Sequence, residues 1–203
     1  MAGDRASDTR ERIREAAVRV FSRDGFDRSS VKAIAEEAGV AVGTIYLHFE
    51  NKDDLLISVF EEEFNARLIH LDEMLEDRAA APAQIQTLLE THFERVRAYP
   101  ELAELLLYER FHRGSRLRER ILPLQQRILK RIARILEDGI DDGWIRPCNP
   151  KVVALALFDL VQTMTACWAL ADPADADEIA AAAPRELTDL MWKGLAAKGD
   201  GRV

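Results

Sequence analysis

Apolar residues recur along this chain at spacings of three and four, and no Asn-Gly turn between alternating runs marks a β-hairpin, so an all-α fold is expected. Ile13, Ala16, Ala17, Val20 and Phe21 form the stripe of a first helix, with Ser7 or Asp8 as its cap and Gly25 ending it. Val31, Ile34, Ala35 and Ala38 fall at i, i+3, i+4 and i+7, a short helix that Ser30 caps and Gly39 stops. A second short run follows, with Ile45 and Phe49 four apart and Val42, Thr44, Tyr46 and His48 on its remaining surface. Asn51 is the expected N-cap of a long fourth helix carrying Leu55, Leu56, Val59, Phe60, Phe64, Leu68, Leu71 and Leu75, broken at Ala79–Pro82. Further helices are expected from Pro82, from Tyr99–Pro100 (Leu102, Leu105, Leu106 and Phe111 inward) and from Ser115 to about Asp142, the last kinked or restarted at Pro123. Asn149–Pro150 opens an eighth and Pro184 a ninth, with the alanine-rich 174–183 stretch read as a loop with some helical turn. The organisation is a three-helix head, residues 1–52, and a six-helix body, residues 53–203.

The two short runs that meet at Ala38-Gly39-Val40 have the sequence form of a helix-turn-helix, whose second helix can enter the DNA major groove. Gly43 permits close approach, Thr44, Tyr46 and His48 can donate to phosphates, and Val42 can meet a thymine methyl. Lys52 lies just past the reading helix, Ser30 and Lys32 on the helix before it, and Arg28 suits a guanine edge or the minor groove. The plain alternative for each side chain alone is a solvated surface position.

The run AGV-x-x-GTIY-x-HF-x-NK-x-x-L is matched at Ala38, Gly39, Val40, Gly43, Thr44, Ile45, Tyr46, His48, Phe49, Asn51, Lys52 and Leu55. It resembles the DNA-binding signature of the TetR family of bacterial transcriptional regulators. That resemblance implies double-stranded operator DNA as a partner, a ligand-sensing body, and a homodimer made by the last two helices. The PELAELLLYERFHRGSRLRERILPLQQRIL stretch is similar in tone to the FadR-like branch, which senses long-chain acyl-CoA and represses fatty-acid degradation genes. By it, an acyl chain would lie among Phe60, Phe64, Leu89, Phe93, Leu106, Phe158 and Trp168, and Arg110, Arg113 or Arg131 would face CoA phosphates. Those apolar residues serve equally well as ordinary core.

Composition adjusts this picture in few places. The net charge of −8 argues against a DNA-binding protein until it is located. Residues 1–52 hold nine Lys/Arg and nine Asp/Glu, residues 53–109 hold four and fourteen, and residues 110–134 hold nine and one. The head is neutral, and the arginine block can either meet an anionic effector or offset the acidic segment before it. Cys148 and Cys167 have no metal spacing and read as free thiols. The polar N-terminus and the Asp159, Gln162 and threonines that interrupt Val152–Ala171 give a cytoplasmic reading with no membrane partner and no resident cofactor. His48, His70, His92 and His112 stand far apart, and no nucleophile or phosphate-loop motif is present, so an enzyme is not expected. The competing readings are a regulator of an efflux pump that senses aromatic or cationic drugs and, more remotely, a helical lipid-binding protein without DNA function.

Overall fold

The computed structural model describes residues 2–77, 81–101, 103, 105 and 115–196. Eight helices have defined bounds among them: α1 (Ala2–Asp24), α2 (Val31–Ala38), α3 (Val42–His48), α4 (Lys52–Asp77), α5 (Ala81–Ala98), α6 (Ser115–Asp141), α7 (Pro150–Leu170) and α8 (Pro173–Leu195). Pro100, Glu101, Ala103 and Leu105 are also helical, where the sixth helix is expected. The fold is all-α, with no strand among the described residues beyond one isolated bridge between Ile145 and Ala196.

Local rules set the head. Ser30 Oγ accepts from Ala33 N at 3.1 Å, capping α2, and Gly39 ends it in the left-handed region at φ 65°. Arg12 closes the same turn by donating to Ala38 O at 2.9 Å. Asn51 Oδ1 accepts from Asp54 N at 2.8 Å, so the start of α4 is fixed as the sequence indicates. Ile13, Ala16, Ala17, Val20 and Phe21 of α1 are buried against Ile34 and Ala35 of α2, Ile45 of α3, and Phe49.

α4 joins this head to the body. Leu55 to Phe60 are six consecutive buried residues, so the helix is surrounded on every side there. Farther along, α4 lies against α6, α5 packs on α8, and α6 packs on α7. One continuous apolar core runs from Ile13 through Phe60 and Phe93 to Leu195. A second small cluster holds Val96, Ala103, Trp168 and Ala180.

Three expectations are corrected. α1 begins at Ala2 rather than near Ser7 or Asp8. The last helix begins at Pro173 and runs through Pro184, because Ala180, Ala183, Leu187, Met191 and Leu195 form one buried stripe across it. The alanine-rich segment is a good helix former, and burial of that stripe offsets the hydrogen bond that Pro184 cannot make. α6 likewise runs on through Pro123 as one helix and does not restart there. Arg146 then closes α8, its backbone N donating to Leu195 O at 2.8 Å and its Nε to Gly194 O at 2.7 Å.

Not all of the apolar surface on the last two helices is spare. Trp168, Leu187, Met191 and Leu195 are buried within the subunit, whereas Val152, Leu155, Leu170 and Leu190 are exposed. α7 is long and apolar enough to cross a membrane by length and composition, yet only 17% of its most apolar window is buried in the subunit.

Gly39→Ala should destabilise the protein by about 1 kcal/mol, the cost of a Cβ in the left-handed region, measured by chemical denaturation. The outcome differs from a clash effect, since a Cβ there would come no closer than 3.7 Å to Arg12 Nη2.

Candidate DNA-reading head and effector cavity

α3 has one inward side chain at its centre. Ile45 is 2% exposed, and Thr44 and His48 are half-buried on either side. Val42, Gly43, Tyr46 and Leu47 face solvent, Tyr46 at 55% and Leu47 at 84% exposure. A Cβ at Gly43 would meet nothing within 4 Å, so that surface is open. The His48 ring lies beside Phe49, with centroids 6.3 Å apart, and the Arg10 guanidinium covers Phe49 at 5.1 Å.

The remaining head positions divide between exposed and engaged. Lys32 is exposed and only loosely paired with Glu36, at 3.8 Å. Ser30 uses its hydroxyl as the cap of α2, and the Arg28 Nε donates to Asp24 O at 2.9 Å while its side chain stays exposed. Lys52 differs from its expected place at the edge. Its Nζ donates to Phe26 O at 2.7 Å and Ser29 O at 2.9 Å, approaches Asp27 O at 3.4 Å, and sits 4.5 Å from the Phe26 ring centroid. The ammonium therefore holds the loop before α2 against the start of α4, a role that sequence position alone gave no sign of.

The body contains a cavity of about 220 Å³ between α4, α5, α6 and α7, closed by Met191 of α8. Its lining is mostly apolar, with Leu71, Ile85, Leu88, Leu89, Ile135, Leu136 and Leu157 among the residues that face it, and Arg67, His70, Thr91, His92, Arg95 and Gln162 as its polar members. Arg95 grips Glu63 with both Nε (2.9 Å) and Nη2 (2.6 Å), which raises the arginine's already high pKa through that hydrogen bond. His92 Nε2 is 2.7 Å from Thr165 Oγ1, whose proton goes to Val161 O at 2.9 Å. The threonine can then only accept from the imidazole, so Nε2 carries the proton and Nδ1 is the acceptor. Burial, and secondarily the charge of Arg67, holds His92 well below the usual histidine range, so the ring is neutral. His70 lines the cavity with its Nε2 buried and without a hydrogen-bond partner.

The sequence-derived effector residues fall into three groups. Leu89 and Phe158 line the cavity. Phe60, Phe64 and Phe93 do not, being fully buried core packed between helices, and Trp168 belongs to the second cluster, its Nε1 donating to Ala176 O at 2.8 Å. Arg131 is also corrected, because both its Nε and Nη2 bond Asp72, at 2.8 and 3.1 Å. That bond holds the Asp72 carboxyl below its ordinary range. Arg120 reaches one oxygen of Glu61 through Nε at 2.8 Å and Nη2 at 2.6 Å, and Arg116 Nη2 donates to Glu50 at 3.0 Å, so these described members of the arginine block clasp α6 to the acids of α4 and the head. Leu106, Arg110 and Arg113 lie outside the described residues. The polar lining residues Arg67, His70, Arg95 and Gln162 are not among the sequence-derived effector residues; the hint is His92, a titratable residue spaced with the apolar Ile85, Leu88, Leu89 and Val96 along α5.

Comparison with known proteins agrees with this architecture. Residues 13–59 match the model for bacterial regulatory proteins of the tetR family, and residues 78–191 match a tetracyclin repressor-like C-terminal domain. The chain is 30% identical over 161 residues to the fatty acid metabolism regulator protein of Bacillus subtilis (strain 168), covering 79% of this chain and 83% of that one. It superimposes on the transcriptional regulator FadR from Bacillus subtilis, crystallised in complex with stearoyl-CoA, with TM-score 0.82 and 28% identity over 91% of this chain and 98% of that one. The fatty acid degradation regulator FadR from Bacillus halodurans gives TM-score 0.81 at 25% identity, with 91% and 98% covered. A helix-turn-helix head on a helical body with an internal cavity, matched along its length in this way, belongs to the TetR family: the chain is a TetR-type transcriptional regulator and not an enzyme.

Proposed function

We propose that this protein is a dimeric repressor whose head, residues 1–52, binds operator DNA and whose body, residues 53–203, binds a long-chain acyl-CoA that releases it. The observation that carries the effector assignment is a mainly apolar cavity lined also by two arginines and two histidines. Leu71, Ile85, Leu89 and Leu136 suit an alkyl chain, and burying each methylene there contributes about 0.8 kcal/mol. Among the polar lining residues, Arg67 and Gln162 carry donors suited to a thioester carbonyl, and His70 Nε2 is a buried polar atom that a ligand would satisfy. The stearoyl-CoA bound by the Bacillus subtilis relative likewise combines a long apolar tail with a polar head. A cationic ligand fits less well, since Arg67 and Arg95 line the cavity and no acidic side chain among the described residues does.

DNA contact is assigned to Val42, Gly43, Thr44, Tyr46 and His48 of α3 and to Ser30, Lys32 and Arg28 before it, with Lys52 acting chiefly by fixing the loop that presents Arg28 and Ser30. Dimerisation is assigned to α7 and α8 through Val152, Leu155, Leu170 and Leu190, exposed apolar side chains that a second copy would cover. α4 connects the two activities. Arg67 lies twelve residues from Leu55, about 18 Å along one helix, so a ligand that shifts Arg67 tilts the element on which the head is packed. The ligand favours one of two head spacings, and operator and ligand must oppose each other by the same factor.

Titration of operator-bound protein with an acyl-CoA series tests the effector assignment: long chains should dissociate the complex, and short chains should do so weakly. Val161→Phe, which fills the cavity, should shift the response toward shorter chains with operator affinity retained, and Arg67→Gln should weaken acyl-CoA binding about tenfold. If no acyl-CoA weakens the complex, the effector assignment fails and the repressor assignment stands.

Two further outcomes follow. Leu190→Arg should convert dimer to monomer in sedimentation and lower operator affinity at least about tenfold, with helical circular dichroism unchanged. His92 gives a pH signature. The unfolded chain takes up a proton below about pH 6.5, whereas the folded protein resists it. The stability that the neutral ring contributes is therefore present above that pH and lost as pH falls toward the depressed folded value. His92→Gln should flatten the fall in melting temperature between about pH 6.5 and 5.

A further inference from the structure

We propose that Leu47 reads thymine, through the C5-methyl group, at the floor of the operator's major groove; this rests on the DNA-binding reading above. The argument begins with helical geometry. Successive residues of α3 turn by about 100°, which places Gly43 and Leu47 each about 160° round from Ile45. Ile45 is the side chain that anchors α3 in the head core, so these two residues form the ridge pointing farthest from it. Gly43 contributes no side chain, and a Cβ there would meet nothing within 4 Å. Leu47 contributes an isobutyl group at 84% exposure, the highest among the exposed large apolar side chains of the described residues.

A single exposed leucine is ordinary on a protein surface. This one stands on the leading ridge of a helix whose residues, Val42-Gly43-Thr44-Ile45-Tyr46-Leu47-His48, contain no Arg, Lys, Asn, Gln, Asp or Glu to read a base edge. Tyr46 and Thr44 lie on the two flanks of the ridge, placed for the phosphates on either side of the groove rather than for its floor. Among the groups that base pairs present in the major groove, the thymine methyl is the apolar one. An apolar ridge with a glycine beside it fits that group and leaves unsatisfied the polar edge of a G·C pair set in the same place. Val42, at 38% exposure and one turn before Tyr46, lies to the side of the ridge.

The test uses the full-length dimer and duplexes that it selects from a random pool. Each thymine of the selected half-site is replaced in turn by deoxyuridine, which removes the methyl and leaves every hydrogen-bonding group in place. At one or two thymines per half-site the native protein should lose about fourfold in affinity per methyl, the burial of one such group. In Leu47→Ala the same replacement should cost nothing, while the protein melts as the native one does because the side chain is solvent-exposed. If deoxyuridine is tolerated everywhere, or if its penalty persists in Leu47→Ala, the proposal is overturned and the DNA-binding reading stands. If no sequence is enriched by the native dimer, both fall.

Discussion

The burial of α4 on all sides between Leu55 and Phe60 is the constraint from which the rest of this structure follows. A helix buried on one face can slide over its support at modest cost. One enclosed through more than a full turn moves only with its neighbours. α1 and Phe49 meet it at the head end and α6 meets it along the body, so the apolar core is continuous from Ile13 to Leu195. Protein interiors packed to this density transmit displacement rather than absorb it. A cavity beside Arg67 and Leu71 is a gap in that packing on the same helix, and what fills it changes where α4 can rest.

Polar interactions refine this arrangement more than they hold it. The pairs Arg131–Asp72, Arg120–Glu61 and Arg116–Glu50 lie in a row from the body to the head, and their exposed geometry gives each a small share of stability. What Arg131–Asp72 sets is register, since its bidentate guanidinium tolerates little sliding of α6 along α4. Arg95–Glu63 and Lys52 are more deeply engaged. Glu63 is buried, and the Lys52 ammonium satisfies loop carbonyls that α2 and α4 leave open. Removing either cation would strand acceptors, which costs more than the bond itself contributes.

The legible parts of the fold were those governed by short-range rules. Ser30, Gly39 and Asn51 cap helices because their side chains or backbone freedom act within four residues, and the stripe of α1 is buried as its spacing requires. Long-range choices were not legible. Phe60, Phe64 and Phe93 carry the same apolar character as Leu89 and Phe158, and only packing decides which of them face the cavity. Arg131 looks like any cation until Asp72, fifty-nine residues away, is brought to it. Pro184 misleads because its local cost is real, but a stripe of five buried residues on one face outweighs it. The reading helix was recognised from Gly43 to Phe49, yet the exposure of Leu47 required knowing where Ile45 points.

The clasp between α4 and α6 also bears on how the protein meets a polyanion. Because Arg116, Arg120 and Arg131 are each paired with a carboxylate, their charge is offset locally, and the excess acid of the chain lies behind a head that is neutral in formal charge. A DNA duplex repels such a molecule from one end and leaves the other unopposed, so diffusional encounters are biased toward the orientation in which α3 arrives first. The charge distribution acts as a rudder on the approach, and added salt weakens that guidance together with the attraction of the bound complex.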